Sequence, residues 1–544
     1  MRSARWAALR DVLRLAEVRR LQLGYGLSLI GEFVSTIALF VFAFDAGGAT
    51  LVAIYGAART LPGGLVTPVL LALTDRVSAD RLLRATTGAR ALLIGLAAAC
   101  AAAGVSPGLV IALAAAAGSL TAIFRPVLAT MVPWLARTPA ELTAANVAAT
   151  MSENGAALVG PALAGAALAI LKPPAAMAIA AGFLGVALLV LWRLQVPRHA
   201  QSARRSAARG VLRDVAAGAA ALARIARPAG FVVLAFVQTF VRGALLVLLV
   251  VIALDVLALG HGSVGWLNAA IGAGGLIGGV LAAWQAHLTR LGRCFVVGLL
   301  LWSVPLVVLG AFPSAVVAYL ALLVVGAGNA VEDTGMFTLL PRLLGSRDAA
   351  PAMGALELVV FAGLGAGSLA APAISSWLSP TGALIAIGAA LAIITLAYAP
   401  RFVQIDRATV MPGPEIELLR GLEMFAPLPV ATVDQLATVL EPHEYRPGEV
   451  VMREGAIGDR FHLILAGRAD VTQDGKSLRN LERGDCFGEI ALLRDVPRTA
   501  TVTATEALHT VALSRADFLT AITGNRVSSR AAEELADQRL AATS

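Results

Sequence analysis

The hydrophobic and polar positions of this chain follow two different patterns, which meet near residue 400. Upstream, long apolar runs are separated by short polar gaps. Downstream, apolar residues come in brief runs divided by glycines. A bilayer core about 30 Å thick needs roughly 20 apolar residues per helix. That window predicts twelve membrane helices, near 21–44, 50–73, 86–104, 109–133, 144–171, 174–196, 229–256, 264–287, 294–312, 314–341, 351–377 and 380–400.

The gaps test this division independently. Arginines fill alternate loops: Arg76, Arg81 and Arg84 after the second span, Arg198 to Arg227 in the long middle gap, and Arg290, Arg293, Arg342 and Arg347 later. Loops of the other parity carry little positive charge beyond Lys172. Cytoplasmic loops hold the basic excess, so an even number of spans puts both termini inside. The first 20 residues carry Arg2, Arg5, Arg10, Arg14, Arg19 and Arg20. They lack an apolar stretch followed by a small-residue cleavage site and read as an amphipathic helix on the inner surface.

Composition agrees. Hydrophobic residues make up 58% and charged ones 14% of the 544 residues, against about 25% charged in soluble domains. Disordered chains, disulfide scaffolds and a single soluble enzyme are excluded. The net charge of +8 sits in the loops, which argues against a nucleic-acid surface. Cys100, Cys294 and Cys486 have no ligand-like spacing, so neither disulfides nor a metal site is expected.

The basic segment 197–228 divides the spans into halves, 21–196 and 229–400. The halves repeat: Arg125 lies eight residues before Pro133, as Asp333 does before Pro341. Such parallel six-span halves resemble the major facilitator superfamily, in particular its bacterial efflux members. In that family the loop after the second span carries an Asp-Arg pair between glycines. Asp75-Arg76 matches the pair as a conformational gate, while both glycines are replaced. Gly160-Pro161 and Gly165 in the fifth span resemble the antiporters' Gly-Pro motif, where small residues let helix backbones approach.

Ionisable groups in a bilayer cost at least about 2.5–3.5 kcal/mol each. The spans nevertheless keep Glu32, Arg59, Arg125, Glu153, Arg242, Glu332, Asp333 and Glu357. Glu32, Arg125, Glu153, Arg242, Glu332 and Asp333 are the candidates for a proton or substrate relay. Arg59 and Glu357, near helix ends, read as static ion pairs. His261 and His287 fall at loop edges, and the glycines at 272, 274, 275, 278 and 279 read as helix packing.

After a linker at 401–414, segment 415–544 alternates in strand-like runs such as Val450–Met452, Phe461–Leu465 and Ala469–Thr472. Short strands between glycine turns indicate a β-sandwich or jelly roll, here flanked by helical patterns near 415–422, 432–440 and 515–540. The run from Phe487 to Val502 closely resembles the phosphate-binding cassette of cyclic-nucleotide-binding domains. That resemblance implies ligand contacts from Gly488, Glu489, Ile490, Ala491, Arg498 and Thr499. Gly488 would admit the backbone, a helix opening at Glu489 would offer amides to a phosphate, and Arg498, on the next strand, would clamp it. Glu489 would accept from the ribose 2′-hydroxyl, and Thr499 is compatible with cyclic AMP or cyclic GMP.

No catalytic constellation accompanies these features. The expectation is an all-α, twelve-helix membrane bundle of major facilitator fold with a C-terminal cyclic nucleotide-binding domain. Its function would be proton-coupled efflux of a small amphipathic compound across the inner membrane. Cyclic nucleotide, with cyclic AMP favoured, would regulate it from the cytoplasmic side. A membrane-bound nucleotide receptor without transport is the alternative.

Overall fold

A computed structural model describes residues 15–73, 77–124, 127–128, 131–132, 139–194, 229–285, 291–408, 413–428, 432–433, 436–437, 439–523 and 526–541. The chain separates into two compact units, Met1–Asp406 and Arg407–Ser544.

The first unit is helical among its described residues. Its helices are α1 (Ala16–Leu73), α2 (Ala79–Ala102), α3 (Pro107–Ser119), α4 (Pro139–Ile170), α5 (Pro173–Trp192), α6 (Ala229–Val251), α7 (His261–Gln285), α8 (Leu291–Ala311) and α9 (Ala315–Ala408). Among the described residues, nine helical segments are long and apolar enough to cross a membrane. Two of these, Ala16–Pro62 and Ala352–Gln404, are themselves interrupted. The first breaks at Gly48 (φ 60°), where the absent Cβ makes a left-handed turn cheap; the second breaks at Ser379 (φ 64°). Both breaks lie where a loop between spans is expected. The region expected to span 109–133 is less regular: α3 stops at Ser119 and passes into a 3₁₀ turn at Thr121–Ile123. There the hydroxyls of Ser119 and Thr121 donate back to the carbonyls of Ala115 and Gly118, which loosens a helix.

Small residues set the packing. A Cβ on Gly265 of α7 would lie 2.2 Å from the Gly165 nitrogen and 2.7 Å from the Pro161 carbonyl oxygen of α4. The two backbones therefore touch, with no room for a methyl. Gly274 and Gly278 play the same part against Leu323 and Ala327 of α9, whereas Gly279 meets nothing within 4 Å. At the same end of the bundle His261 pairs with Asp45 at 3.1 Å. The segment expected as a linker is helical as far as Ala408. Within it Asp406 accepts hydrogen bonds from the Gly292 and Arg293 amides at 2.7 and 3.0 Å, capping the start of α8.

The second unit begins with α10 (Gly413–Gly421) and continues as two four-stranded antiparallel sheets. The strands are β1 (Glu441–Tyr445), β2 (Val450–Met452), β3 (Arg460–Ala466), β4 (Ala469–Gln473), β5 (Lys476–Leu481), β6 (Cys486–Phe487), β7 (Thr501–Ala504) and β8 (Leu508–Ser514). One sheet has the order β1-β8-β3-β6 and the other β2-β7-β4-β5. Alternation along β3 explains its almost unbroken apolar sequence. Ile464 joins Val471, Leu481, Phe487, Val502 and Leu508 between the sheets. Phe461 and Leu463 point the other way, towards the helices. There Phe461 stacks on Phe518 at 4.9 Å and meets Phe425 edge-on at 5.6 Å. Three further helices are α11 (Glu489–Arg494), α12 (Arg515–Thr523) and α13 (Arg526–Ala541). The single pattern expected over 515–540 is thus two helices.

Candidate functional site

A cavity of about 350 Å³ opens against the β2-β7-β4-β5 sheet of the second unit. Its floor includes Val471 and Val502, its rim the segments 487–491 and 498–500, and its cover Leu535, Gln538 and Arg539 of α13. Gly488, Glu489, Ile490, Ala491, Arg498 and Thr499 all line this one space. The motif residues expected from the sequence therefore converge.

Local geometry explains why. Gly488 has φ 90°, a left-handed turn that delivers the chain from β6 into α11. A Cβ there would lie 2.6 Å from Arg498 Nη1, so glycine is required for space as well as for conformation. Gly458 does similar work from the opposite wall, since its Cβ would meet Arg498 Nε at 2.9 Å. Arg498 lies just before β7 and not on it, as the sequence reading had placed it. Its chain is braced by the Arg498 amide donating to Ala456 and the Gly455 amide donating to Arg498, each at 2.8 Å. The side chain donates through Nη1 to the Gly488 carbonyl at 2.8 Å and through Nη2 to the Arg460 carbonyl at 2.7 Å. A guanidinium has five N–H donors, so capacity for an anion remains. Burial lowers the Arg498 pKa, opposed by Asp459 and Glu489, and the group stays a cation.

Glu489 is buried to 1% exposure at its side chain. Its Oε1 accepts from Arg539 Nη1 at 2.5 Å, and Arg539 also donates to the Cys486 carbonyl at 3.0 Å. Its Oε2 is buried and has no donor among the described residues. A lone carboxylate oxygen out of water costs free energy until a donor reaches it. Burial acts to lower the Arg539 pKa, and Glu489 and Cys486 together offset it, giving a net upward shift. Arg479 on β5 adds a third guanidinium to the lining. Three arginines around one glutamate make the cavity an anion site with one distinct hydroxyl-seeking oxygen.

Two neighbours are electrostatically silent. Burial, then the charges of Arg498, His443 and Arg460, push the His462 pKa down to about 3, so the ring is neutral. It stacks on Phe487 at 4.9 Å. Burial, followed by the Glu489 charge, pushes the Cys486 thiol up to about 12, which leaves it unreactive.

Within the helical unit a second cavity of about 370 Å³ is lined by Glu32, Arg59 and Arg242 together with apolar side chains. Glu32 accepts from Arg59 Nη2 at 2.7 Å and from Arg90 Nη2 at 3.4 Å. Arg90 also donates to Ser28 Oγ at 2.8 Å. Glu153 lies apart and accepts from the Tyr25 hydroxyl at 2.5 Å. Glu332 is buried where α9 crosses Gly298 of α8, and Asp333 accepts from Asn329 at 2.9 Å. Neither acid lines the cavity. Arg125, Asp75 and Arg76 lie outside the described residues. Sequence reasoning missed Arg90, Gly458, Arg479 and Arg539. Arg90 alone carried a signal, a charge within the apolar run of the third span.

Residues 442–525 match the family described as the cyclic nucleotide-binding domain. A stretch of 85 residues is 46% identical to the cAMP-dependent protein kinase regulatory subunit of Eremothecium gossypii, covering 15% of this chain and 19% of that protein. Another of 109 residues is 36% identical to the cGMP-dependent protein kinase of Eimeria tenella, covering 20% of this chain and 11% of the relative. Among solved structures, a regulatory-subunit domain bound to Sp-2Cl-cAMPS shares 27% identity over 24% of this chain and 81% of its own, at TM-score 0.20. The match thus spans about a fifth of the first regulatory subunit's length. The second unit contains a cyclic nucleotide-binding domain.

Proposed function

We propose that this chain is a secondary transporter of major facilitator fold, with twelve spans in an inner membrane, governed by cyclic nucleotide at its cytoplasmic C-terminal domain. The nucleotide half of the reading rests on one observation. The unpartnered Oε2 of Glu489 and the Arg498 guanidinium face the same cavity. A cyclic nucleotide supplies what each lacks: a ribose 2′-hydroxyl to donate to Glu489, and a phosphate anion for Arg498. No side chain caps the first turn of α11, so its amides are open to the same phosphate. Cyclic AMP is favoured because two relatives, 46% and 44% identical over their matched stretches, are named for it, and Thr499 suits either base.

The transport half is supported by the cavity among Glu32, Arg59 and Arg242 in the helical unit. Contacts between Gly165 and Gly265, and between Asp45 and His261, seal the end that the arginine pattern assigns to the outside. Glu32, joined to both Arg59 and Arg90, links three helical segments at this cavity and is the acid of the set placed to couple their movement. The chain's own chemistry would be binding and release, with no catalysis. Nucleotide would act only by favouring one transporter state over another.

Calorimetry on the full chain in detergent tests the first half: cyclic AMP binds, and Arg498→Ala weakens the binding roughly a hundredfold. Flux into proteoliposomes with and without cyclic AMP tests the second. A nucleotide-independent flux would refute the regulation, and absence of coupled flux for any solute would refute transport.

A further inference from the structure

We propose that the cavity in the helical unit takes an amphipathic organic anion. The inference rests on the transport reading for its physiological meaning and on the charge balance of the cavity for its chemistry. Glu32 spends both carboxylate oxygens, one on Arg59 and one on Arg90. One negative charge therefore answers two positive ones, and Ser28 accepts a further bond from Arg90. The third guanidinium is Arg242, exposed on the cavity wall. Among the described residues it makes no hydrogen bond and no ion pair within 4.0 Å. Glu332 is near enough to feel its charge, yet it is 2% exposed, packs its backbone and Cβ against Gly298 of α8, and is not among the residues that line the cavity.

A guanidinium on a cavity wall at membrane depth is costly to place there, and an anion in the cavity would answer it. The remaining lining chooses the body of that partner. Phe33, Phe40, Leu246, Val250, Phe361 and Leu364 supply apolar wall. Asn268 and three threonines give scattered polar contacts. The volume of about 370 Å³ falls in the range of small-molecule sites, about 300–1,000 Å³. A carboxylate or sulfonate on an aromatic or aliphatic body satisfies Arg242 and fills the rest. A quaternary ammonium of equal size would meet two lining guanidinia and a glutamate already spent.

The test uses the full chain and a matched pair of probes, 1-naphthalenesulfonate and (1-naphthylmethyl)trimethylammonium. Binding is read by thermal stabilisation in non-ionic detergent, and flux in proteoliposomes. The sulfonate should raise the unfolding midpoint and the ammonium should not. Arg242→Gln should weaken the sulfonate on the order of tenfold or more, and Arg242→Lys should restore part of it. Glu32→Gln should tighten the sulfonate, because it removes the competing carboxylate; a merely structural role for Glu32 predicts no gain. The unfolding midpoint of each unliganded variant, compared with the parent chain, reports that the helical unit is folded. Preference for the ammonium, or sulfonate affinity unchanged in Arg242→Gln, overturns the proposal. Flux of the ammonium alone would leave the transport reading standing and remove this one. Sulfonate binding without flux would do the reverse, and binding of neither probe removes the site.

Discussion

The two cavities both set several arginines around one glutamate, and they treat that glutamate in opposite ways. In the C-terminal domain Glu489 gives one oxygen to Arg539 and keeps the other buried and unanswered. In the helical unit Glu32 gives away both, to Arg59 and Arg90. The key arginines differ in the same sense. Arg498 is held by two backbone carbonyls and aimed by glycines at 458 and 488. Arg242 is held by neither carbonyl nor carboxylate among the described residues. The first cavity is built so that an acid and a cation each await a different part of one ligand. The second has a satisfied acid and a waiting cation. A preorganised pair suits a ligand that stays bound as a signal, and a single loosely held charge suits one that must leave.

The contrast is most severely tested at Arg498. Arg498→Ala removes a charge-assisted clamp and should weaken cyclic AMP by about 3 kcal/mol, roughly a hundredfold, as read by calorimetry on the full chain. A loss no greater than that of a surface arginine would mean the clamp lies elsewhere. Gly488→Ala should come next. It puts a methyl against Arg498 at a φ of 90° and should cost the domain about 1–3 kcal/mol, with faster hydrogen exchange in β6 and α11.

A pH series on the same domain has an effect of fixed sign that is smaller over any one pH unit. The folded pKa of His462 is about 3, below the ordinary 6.5 of an unfolded histidine. Its contribution is intact above pH 6.5. Below that the unfolded chain gains a proton that the native one refuses, and stability falls by up to about 1.4 kcal/mol per pH unit towards pH 3. Hydrogen exchange of C-terminal amides in the full chain should show this slope, and His462→Phe should flatten it. The smallest change is expected at Thr499. Thr499→Ala should weaken nucleotide by about 1 kcal/mol, a neutral hydrogen bond's worth, and the ratio of cyclic AMP to cyclic GMP affinity will say which base the hydroxyl serves.

Legibility in the sequence follows the same divide. Gly488 through Thr499 are near neighbours along the chain, so a local motif carried the rim of the nucleotide pocket. What it lacked were the parts brought from afar: Gly458 from the opposite wall, Arg479 from β5 and Arg539 from α13. In the helical unit each charged group belongs to a different apolar run, and periodicity says nothing of which face meets which. Glu32 and Arg242 were recognisable as expensive charges, whereas Arg90 was absorbed into its hydrophobic surroundings. Arg59 was read as a static pair from its nearness to a helix end, and the structure sets it against Glu32 on the cavity wall. Helix breaks at Gly48 and Ser379 were legible as interruptions of hydropathy, since a chain that must reverse there needs polar or small residues.

The contact of α4 with α7 has one more consequence. Gly265 stands so near Gly165 that a single methyl group is wider than the gap. Under the transport reading, in which two lobes part and rejoin at every cycle, alanine at that position would act as a doorstop. It would bar the sealed pose while leaving the opposite one untouched, and so offers a one-atom means of arresting the machine half-way through its stroke.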